Sequence, residues 1–506
     1  MEIRYHSTRD KEHFLTASQA ILQGLAEDGG LFVPERIPEP LSIPALMDKD
    51  YRGVALEVMK LFLCDYTDEE LKACIDAAYD SKFDTEEIAP LAEIGGTYYL
   101  ELFHGATIAF KDMALSILPH LMTTAARKQG LKEEIVILTA TSGDTGKAAM
   151  AGFADVPGTR IMVFYPKDGV SPVQEKQMLT QKGKNVRVVG IRGNFDDAQS
   201  GVKRMFNDAD LKKELKDKGF IFSSANSINI GRLVPQVVYY VYSYVQLLRY
   251  GRISLGEPVN FCVPTGNFGN ILAAFYASRI GVPVNKLICA SNSNRVLYDF
   301  FHAGTYDKLH ELDLKSGAFS QERKFMLTGS PSMDILISSN LERLIYYISG
   351  EDTEKTAALM KSLSENGSYD IDDEMKERLE GFESGFAGEA RCARAIRETF
   401  EKHSYVIDPH TAVGAAVYED YFAQSGDETN TVIASTASPY KFARTVMNAI
   451  DPSSDACEDM ELIDKLCSLS GVELPNAIEE LKGAPILHDT VCEIAEMPDE
   501  VRGFLR

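Results

Sequence analysis

Apolar, β-branched runs alternate with small-residue turns and helical segments along most of the chain after about residue 95. Four runs each stop at a turn that opens a helix: TYYLELF before HGATIAFKD, EEIVILTA before TSGDTG, VNFCVP before TGNFGN, and TVIAS before TASPYK. This alternation predicts an α/β fold with a mainly parallel sheet. Because open α/β sheets bind ligands at the carboxyl ends of their strands, we expect the four turns to meet at one cleft.

The pattern also predicts four parts of the chain. Residues 1–95 should form a mostly helical N-terminal domain, in which Gly29-Gly30 ends a helix before a short strand. A smaller α/β domain should span 96–245, and a larger one should span 246–450 with a charged, solvated helical insertion at about 305–400. Residues 451–506 should form a helical C-terminal appendage.

Composition narrows the classes of partner. The 506 residues have a net charge of −23, which argues against nucleic acid, since phosphate backbones are bound by basic patches. The eight cysteines form no CxxC pair and no zinc-ligand spacing, so we expect reduced thiols and no metal. The start, MEIRYHSTRDKEHF, lacks an apolar signal core, and no apolar window has the length of a membrane helix. We therefore expect a cytoplasmic protein that does not enter membranes.

Lys111 stands where the chain turns apolar, directly after Ile108-Ala109-Phe110. A lysine at such a place usually lays its stem on apolar surface and keeps its ammonium in water. A functional interpretation requires that neighbouring segments bind a group with which a buried amine can react. Burial lowers the pKa of a lysine, and the neutral amine is a nucleophile and a base.

Two of the turns could bind anions. TSGDTGK is not a nucleotide-binding P-loop, because Thr141 stands where the first glycine is needed and Ala148 where Ser or Thr is needed. It remains a turn at a helix N-terminus, which favours a carboxylate or one phosphate. PTGNFGN is a second such turn, and it is not a dinucleotide fingerprint, because GxGxxG is absent. For each turn alone, an ordinary capped βα turn is the alternative.

Two anion-binding turns and one lysine in apolar surroundings suit a cofactor that has a phosphate and an aldehyde. Pyridoxal phosphate has both groups. One turn would bind the phosphate of the cofactor, and the other would bind the carboxylate of the substrate. The fourth turn, Ser435-Thr436-Ala437, would place a hydroxyl near the pyridine nitrogen. A hydroxyl does not hold that nitrogen protonated, which suits chemistry at the β and γ carbons.

The motifs together resemble threonine synthases, pyridoxal-phosphate enzymes of the tryptophan-synthase-β-like fold group. The resemblance covers nearly the whole chain and rests on motifs in a fixed order: LAEDGGLFVPE, HGATIAFKDMAL, TATSGDTGKAA, GNFDDAQ, SSANSINIGRL, PTGNFGN and YVIDPHTAVG. It implies an α/β fold with two open, mainly parallel sheets and a mostly helical N-terminal domain. It also implies a lyase that converts O-phospho-L-homoserine and water to L-threonine and phosphate.

The resemblance implies a role for individual residues. Lys111 would bind the cofactor aldehyde as a Schiff base and act as the catalytic amine. The other cofactor-binding residues would be Gly266, Asn267, Phe268, Gly269, Asn270 and Thr436. The amino-acid end of the substrate would lie at Ser142, Gly143, Asp144, Thr145 and Gly146, and its phosphate at Asn226, Ser227, Asn229 and Arg232.

The fourth turn departs from the family, and other activities remain open. Threonine synthases of this kind commonly have STAHPAKF, whereas this chain has Ser438 and Tyr440 in STASPYKF. Threonine dehydratase or cysteine synthase would keep Lys111 but would not need a grip on a substrate phosphate. A phospholyase would release phosphate without making threonine. A non-catalytic phosphometabolite-binding protein would not need Lys111. The family includes monomers and homodimers.

Overall fold

The computed structural model describes residues 3–141, 143–167, 170 and 172–506. Within these residues the strands are β1 Tyr5–Ser7, β2 Asp10–Leu15, β3 Phe32–Pro34, β4 Leu91–Ile94, β5 Thr97–Glu101, β6 Glu134–Ala140, β7 Thr159–Pro166, β8 Val186–Ile191, β9 Phe220–Ser223, β10 Val259–Pro264, β11 Val284–Ser291, β12 Thr305–Asp307, β13 His310–Leu312, β14 Phe319–Glu322, β15 Ser368–Asp370, β16 Phe382–Phe386, β17 Thr431–Ser435 and β18 Val491–Cys492.

The helices surround and connect these strands. They are α1 Ala17–Gln23, α2 Tyr51–Phe62, α3 Asp68–Ala78, α4 Asp112–Leu115, α5 Leu118–Lys128, α6 Asp144–Phe153, α7 Pro172–Leu179, α8 Phe195–Asn207, α9 Ala209–Asp217, α10 Ile230–Arg249, α11 Gly269–Arg279, α12 Val296–Ala303, α13 Leu341–Ile348, α14 Thr353–Asn366, α15 Asp373–Glu377, α16 Glu389–His403, α17 Pro409–Ser425, α18 Ala443–Ile450, α19 Asp459–Ser470, α20 Asn476–Lys482 and α21 Met497–Phe504. Short 3-10 helices span Ile43–Leu46, Pro331–Met333, Pro439–Phe442, Pro452–Ala456 and Ile494–Glu496.

Two open sheets form the centre of the molecule and confirm the expected α/β class. The larger sheet has the order β16-β11-β10-β17-β5-β4, and the smaller sheet has the order β18-β8-β7-β6-β9. Neighbouring strands are parallel in both sheets, except that β4 pairs antiparallel with β5. Parallel strands of this kind are buried on both faces, as the uninterrupted burial of β10 and β17 shows.

The boundary expected between residues 95 and 96 falls inside the β4–β5 hairpin. Strand β5 pairs with β17, with Tyr98 opposite Val432, and therefore belongs to the larger sheet. The sequence order suggested the smaller domain instead. The physical reason is that strand pairing brings β5 beside a strand that lies more than 300 residues later in the chain, which no local pattern encodes.

The N-terminal part contains helices α1 to α3 and also an antiparallel sheet with the order β2-β1-β3. The short strand expected after Gly29-Gly30 is β3. The helix before it ends earlier than expected, at Gly24, which has a φ of 74°. Glycine adopts this left-handed conformation without steric cost, and a Cβ there would lie 3.2 Å from the side-chain nitrogen of Asn229.

Helix α10 is buried along most of its length and packs against α2 and α11. Its sequence, IGRLVPQVVYYVYSYVQLLR, has apolar or aromatic residues on every face, which is typical of a helix inside a core rather than at a surface. Its first turn begins at Asn229, whose side chain accepts the N–H of Gly231. This buried helix therefore fixes the position of Arg232.

Residues 305–400 are more varied than the expected solvated helical insertion. They contain the strand pairs β12–β15 and β13–β14 in addition to helices, and β16 joins the larger sheet beside β11. Helix α13 is almost entirely buried. The sequence of α13 is LERLIYYI, which is mostly apolar. Because the neighbouring stretches are acidic, the sequence alone did not predict that this helix is buried.

The C-terminal tail contacts both sheets. Helix α19 packs against α18 and, through Leu462, Ile463 and Leu466, joins the apolar cluster that covers the larger sheet. Strand β18 extends the smaller sheet by pairing with β8, and α21 joins the apolar cluster on that sheet through Met497 and Val501. The tail is therefore more than the helical appendage that the sequence suggested.

Among the described residues, no helix combines the length and apolarity that a membrane crossing needs.

Candidate active site

Lys111 lies directly before α4, and only 8% of its surface is exposed. Its Nζ donates a hydrogen bond of 2.9 Å to Oγ of Ser332 and lies 3.6 Å from Oδ2 of Asp144. Burial lowers the pKa of Lys111, the ammonium of Lys441 and the guanidinium of Arg232 lower it further, and Asp144 opposes them. The amine is therefore poised to lose its proton more readily than an exposed lysine.

The loop that carries Lys111 is attached to the fourth turn. The N–H of Phe110 donates to the carbonyl of Thr436 at 2.8 Å, and the N–H of Ser438 donates to the carbonyl of Ile108 at 3.0 Å. Thr436 is buried, and its own N–H donates to Oγ1 of Thr411. Two of the four expected turns thus meet directly.

The two residues that depart from the family pattern have structural partners. Ser438 precedes the 3-10 helix Pro439–Phe442 and accepts the N–H of Tyr440. The Tyr440 ring is buried, and its hydroxyl donates to the carbonyl of Val472 in the C-terminal tail. Tyr440 therefore joins the fourth turn to the C-terminal tail.

The turn before α6 has fewer backbone N–H groups available for a ligand than its sequence suggests. Oγ1 of Thr141 accepts the N–H groups of both Gly143 and Gly146 at 3.0 Å. The N–H groups of Asp144 and Thr145 have no hydrogen-bond partner within the described residues, as expected for the first turn of a helix. Ser142 lies outside the described residues.

Asp144 brings a carboxylate into this turn. Oδ1 accepts from Nε2 of Gln174 at 3.0 Å and lies 3.2 Å from Nζ of Lys441. Oδ2 accepts from Oγ of Ser332 at 2.9 Å. Ser332 therefore connects Asp144 to Lys111 through one hydroxyl.

The turn before α11 offers a donor with no protein acceptor. Oδ1 of Asn270 accepts from the hydroxyls of Tyr239 and Tyr240 at 2.6 and 2.7 Å. These bonds fix the orientation of the amide, and Nδ2 of Asn270 is buried without a partner in the described structure. A buried unpaired donor is costly, so this site fits a bound anion such as the cofactor phosphate.

The other residues of the same turn hold its shape. Phe268 is the N-cap residue of α11, and its backbone is in the left-handed conformation with a φ of 63°. Asn267 accepts the N–H of Asn340 through its carbonyl at 3.1 Å. A Cβ at Gly266 would lie 2.9 Å from the carbonyl oxygen of Ser332, and one at Gly269 would lie 3.5 Å from Nδ2 of Asn340. Gly266 is therefore required for contact between two protein loops.

Arg232 is a buried cation with few protein partners. Nη1 donates to the carbonyl of Ala225 at 3.2 Å, while Nε is buried without a partner. No carboxylate among the described residues pairs with it, and burial lowers the pKa of Arg232 to about 10. A guanidinium with unused donors in a buried site fits an anionic ligand.

The other residues expected around the substrate phosphate are placed differently. Asn226 is exposed, and Ser227 accepts from Nδ2 of Asn340 through its carbonyl. Asn229 is fully buried, and its amide binds the carbonyls of Ile21 and Ser224 and the N–H of Gly231. Asn229 therefore caps α10 and has no side-chain donor left for a ligand.

The chain is similar to known proteins over most of its length. Three family models match the chain: "Threonine synthase N terminus" over residues 4–79, "Pyridoxal-phosphate dependent enzyme" over 86–374, and "Threonine synthase, C-terminal" over 411–486. The threonine synthase of Schizosaccharomyces pombe is 37% identical over 478 residues, which are 90% of this chain and 90% of the relative.

The chain belongs to the threonine synthase family. It shares the pyridoxal-phosphate-dependent fold of that family with two solved structures. A PLP-bound threonine synthase from Brucella melitensis superposes with a TM-score of 0.87 at 33% identity, over 100% of both chains. A yeast threonine synthase superposes with a TM-score of 0.86 at 32% identity, over 99% of this chain and 98% of that chain.

A longer relative is also similar. Threonine synthase-like 1 of Macaca fascicularis is 40% identical over 447 residues, which are 86% of this chain. The chain spans 58% of the length of that relative.

Sequence reasoning missed several residues of this threonine synthase-family site. His410 accepts the N–H of Ser332 on Nε2, so its Nδ1 carries the proton that is donated to Asp408 at 2.7 Å. Lys441 lies beside Asp144, and Arg343 binds Asn340, whose N–H donates to the carbonyl of Asn267 in the turn before α11. Lys441 and His410 stand in quoted motifs and could have been noticed there, whereas Ser332 and Arg343 have no local signal.

No group of three or more His, Cys, Asp or Glu residues that could hold a metal ion occurs in the part of the chain that the structure describes.

Proposed function

We propose that the protein is a threonine synthase, which converts O-phospho-L-homoserine and water to L-threonine and phosphate by replacement at the β and γ carbons. The observation that carries this proposal is the buried amine of Lys111 together with two donors that are buried without a described partner, Nδ2 of Asn270 and Nε of Arg232. The guanidinium of Arg232 is near enough to lower the pKa of Lys111. One donor suits the phosphate of a cofactor and the other suits the phosphate of a substrate. We infer a cytoplasmic enzyme that acts as a monomer or a homodimer.

The residues present fit pyridoxal phosphate. Lys111 would hold its aldehyde covalently, the turn of residues 266–270 would bind its phosphate with Nδ2 of Asn270, and Thr436 would contact its pyridine nitrogen. Thr436 is buried, and its carbonyl accepts the N–H of Phe110, the residue before Lys111, which supports that contact. When bound, pyridoxal phosphate supplies an aldehyde for the substrate amine and a ring that accepts electrons from the α carbon.

The chain itself would bind the substrate at both ends. The turn of Gly143, Asp144, Thr145 and Gly146 lies at the N-terminus of α6, where the helix dipole favours the substrate carboxylate. Arg232, with Asn226 and Ser227 nearby in the chain, would bind the substrate phosphate. Nε of Arg232 is buried without a described partner, which supports this role. The side chain of Asn229 instead binds the backbone of Ile21, Ser224 and Gly231.

Lys111 would move protons at the substrate carbons. Its Nζ, once released, would take the proton of the α carbon and pass it to the bound cofactor, so that it is free to take a proton of the β carbon as phosphate leaves the γ carbon. It would then return that proton after water has added, and it would hold one transferred proton at a time. Oγ of Ser332 lies 2.9 Å from this nitrogen and from Oδ2 of Asp144. These two contacts hold the amine in place between steps.

A product assay tests the proposal directly. Purified protein with added pyridoxal phosphate is given O-phospho-L-homoserine, and phosphate and threonine are both quantified. Equal amounts of the two products are expected. Phosphate without threonine would identify a phospholyase instead, and the absence of both would point to a dehydratase, a cysteine synthase or a binding protein.

Asn270→Asp should weaken cofactor binding by about 100-fold or more. The new carboxylate keeps an acceptor for Tyr239 and Tyr240 but places a negative charge where the phosphate would bind, and buried like charges cost several kcal/mol. The dissociation constant is measured from the absorbance of bound cofactor. Pyridoxal, which lacks the phosphate, is the control and should bind both proteins equally well. Equal loss for both compounds would contradict the assignment.

Cofactor uptake should depend on pH with a midpoint below 10.5, the ordinary pKa of lysine. Only the neutral amine reacts with an aldehyde, and burial, Lys441 and Arg232 lower the pKa of Lys111. The rate of uptake by the cofactor-free protein is measured by stopped-flow absorbance. Because the carboxylate of Asp144 raises this pKa, Asp144→Asn should move the midpoint to still lower pH. A midpoint at or above 10.5 would contradict the electrostatic argument.

A further inference from the structure

The turn that would receive the substrate carboxylate contains a carboxylate of its own. Asp144 is the first residue of α6, and its side chain is 7% exposed. Burial alone would raise the pKa of Asp144, but the ammonium groups of Lys441 and Lys111 hold that pKa well below its ordinary value. Asp144 is therefore ionised, and without a counter-ion it would repel an arriving anion.

Lys441 is suited to be the permanent counter-ion. Its side chain is fully buried, and its Nζ lies 3.2 Å from Oδ1 of Asp144. The same nitrogen donates to the carbonyl of Thr107 at 2.9 Å. Thr107 belongs to the loop that leads to Lys111, so Lys441 is tied to the two segments that frame the site.

Lys111 cannot serve as the counter-ion throughout a reaction. Its Nζ lies farther from Asp144, at 3.6 Å, and it must leave this contact to react. Among the described residues, Nζ of Lys441 has only Thr107 and Asp144 as hydrogen-bond or ion-pair partners. The two lysines therefore have different tasks although both lie beside one carboxylate.

We propose that Lys441 is a positioning residue for substrate binding: its ammonium holds and neutralises Asp144, so that the turn before α6 can accept the carboxylate of an α-amino acid. This inference rests on the proposed function, because it assumes an amino-acid substrate at this turn. Lys441 acts through Asp144 and does not touch the substrate.

The test compares Lys441→Met, Asp144→Asn and the double variant. Two quantities are measured: the KM and kcat for O-phospho-L-homoserine, and the dissociation constant of L-norvaline, read from the absorbance of the bound cofactor. L-Norvaline has the amino and carboxylate groups but no leaving group, so its binding does not depend on turnover. Failure of the proposed function would therefore leave this measurement interpretable.

Lys441→Met should raise the KM and the dissociation constant of L-norvaline by about 30-fold or more, because it leaves a buried carboxylate without its partner. The effect on kcat should be smaller. The double variant should bind L-norvaline within about threefold of Asp144→Asn alone, since the charge to be neutralised is gone. Lys128→Met is the control, because Nζ of Lys128 also pairs with a carboxylate, that of Glu70 at 2.9 Å, but lies at the end of α5. It should change neither constant by more than about twofold.

Two results would overturn the proposal. Unchanged binding in Lys441→Met would show that Asp144 needs no such partner. Binding in the double variant more than about tenfold weaker than in Asp144→Asn would show that Lys441 contacts the substrate itself. If Lys441→Met does not fold, as judged by thermal unfolding, the comparison of the double variant with Asp144→Asn decides alone.

Discussion

Lys111→Ala is expected to form threonine from O-phospho-L-homoserine at least about 10³-fold more slowly than the unchanged protein. The variant loses the amine that would bind the cofactor and move protons. The nearest other ammonium beside Asp144, that of Lys441, is occupied by Thr107 and Asp144. Phosphate and threonine are quantified with purified protein in excess pyridoxal phosphate.

The control for this experiment is Lys128→Ala. Lys128 is also a partly buried lysine with a carboxylate partner, since its Nζ lies 2.9 Å from Glu70, but it is at the end of α5. Its activity should stay within about twofold of the unchanged protein. Thermal unfolding shows whether Lys111→Ala is folded. Turnover in a folded Lys111→Ala protein would remove Lys111 from the mechanism.

Arg232→Met should lower kcat/KM for O-phospho-L-homoserine by about 100-fold or more, mainly through KM, because a charged partner of the phosphate is lost. Inhibition by inorganic phosphate should weaken in parallel. The free energy of unfolding should change little or increase, because the guanidinium is buried with one described hydrogen bond and no carboxylate. Steady-state kinetics and urea unfolding measure the two effects separately.

Arg343→Met provides the matched contrast to Arg232→Met. Arg343 is equally buried, but its donors all serve the protein: Nε binds the carbonyl of Phe32 at 2.9 Å, Nη2 binds that of Ile228 at 2.6 Å, and Nη1 binds Oδ1 of Asn340. Its removal leaves these acceptors unpaired and should lower the free energy of unfolding by about 3 kcal/mol or more. If the two variants instead behave alike in both assays, the distinction between a ligand-binding and a structural arginine is wrong.

The sequence was informative about the fold wherever the signal was local. The β-branched runs before TSGDTG and TGNFGN are strands β6 and β10, and the helices that follow begin at Asp144 and Gly269. It was less informative where a long-range contact decides. The pairing of β5 with β17 and the burial of α13 depend on segments hundreds of residues apart, so the domain boundary and the character of the insertion could not be read from either segment alone.

Some residues of the candidate site could also be predicted from local motifs, whereas others depend on long-range contacts. Lys111 and Arg232 stand in recognisable motifs. In the structure both side chains are buried, and burial lowers the pKa of each. The motif could not distinguish Arg232 from Asn229 three residues earlier, because only the fold shows that the Asn229 amide is used by Ile21 and Ser224. Ser332 could not be found at all, since it reaches Lys111 from a segment 221 residues away in the chain.

The C-terminal tail has a consequence for how such chains can be recombined. It packs on the larger sheet through α19 and completes the smaller sheet through β18, and it receives the hydroxyl of Tyr440, which this chain has at the fourth turn. A chimaera that exchanges either sheet with a relative would therefore have to exchange the matching part of the tail. The two sheets of this protein are therefore linked structurally by residues 451–506, which pack on one sheet and pair with the other.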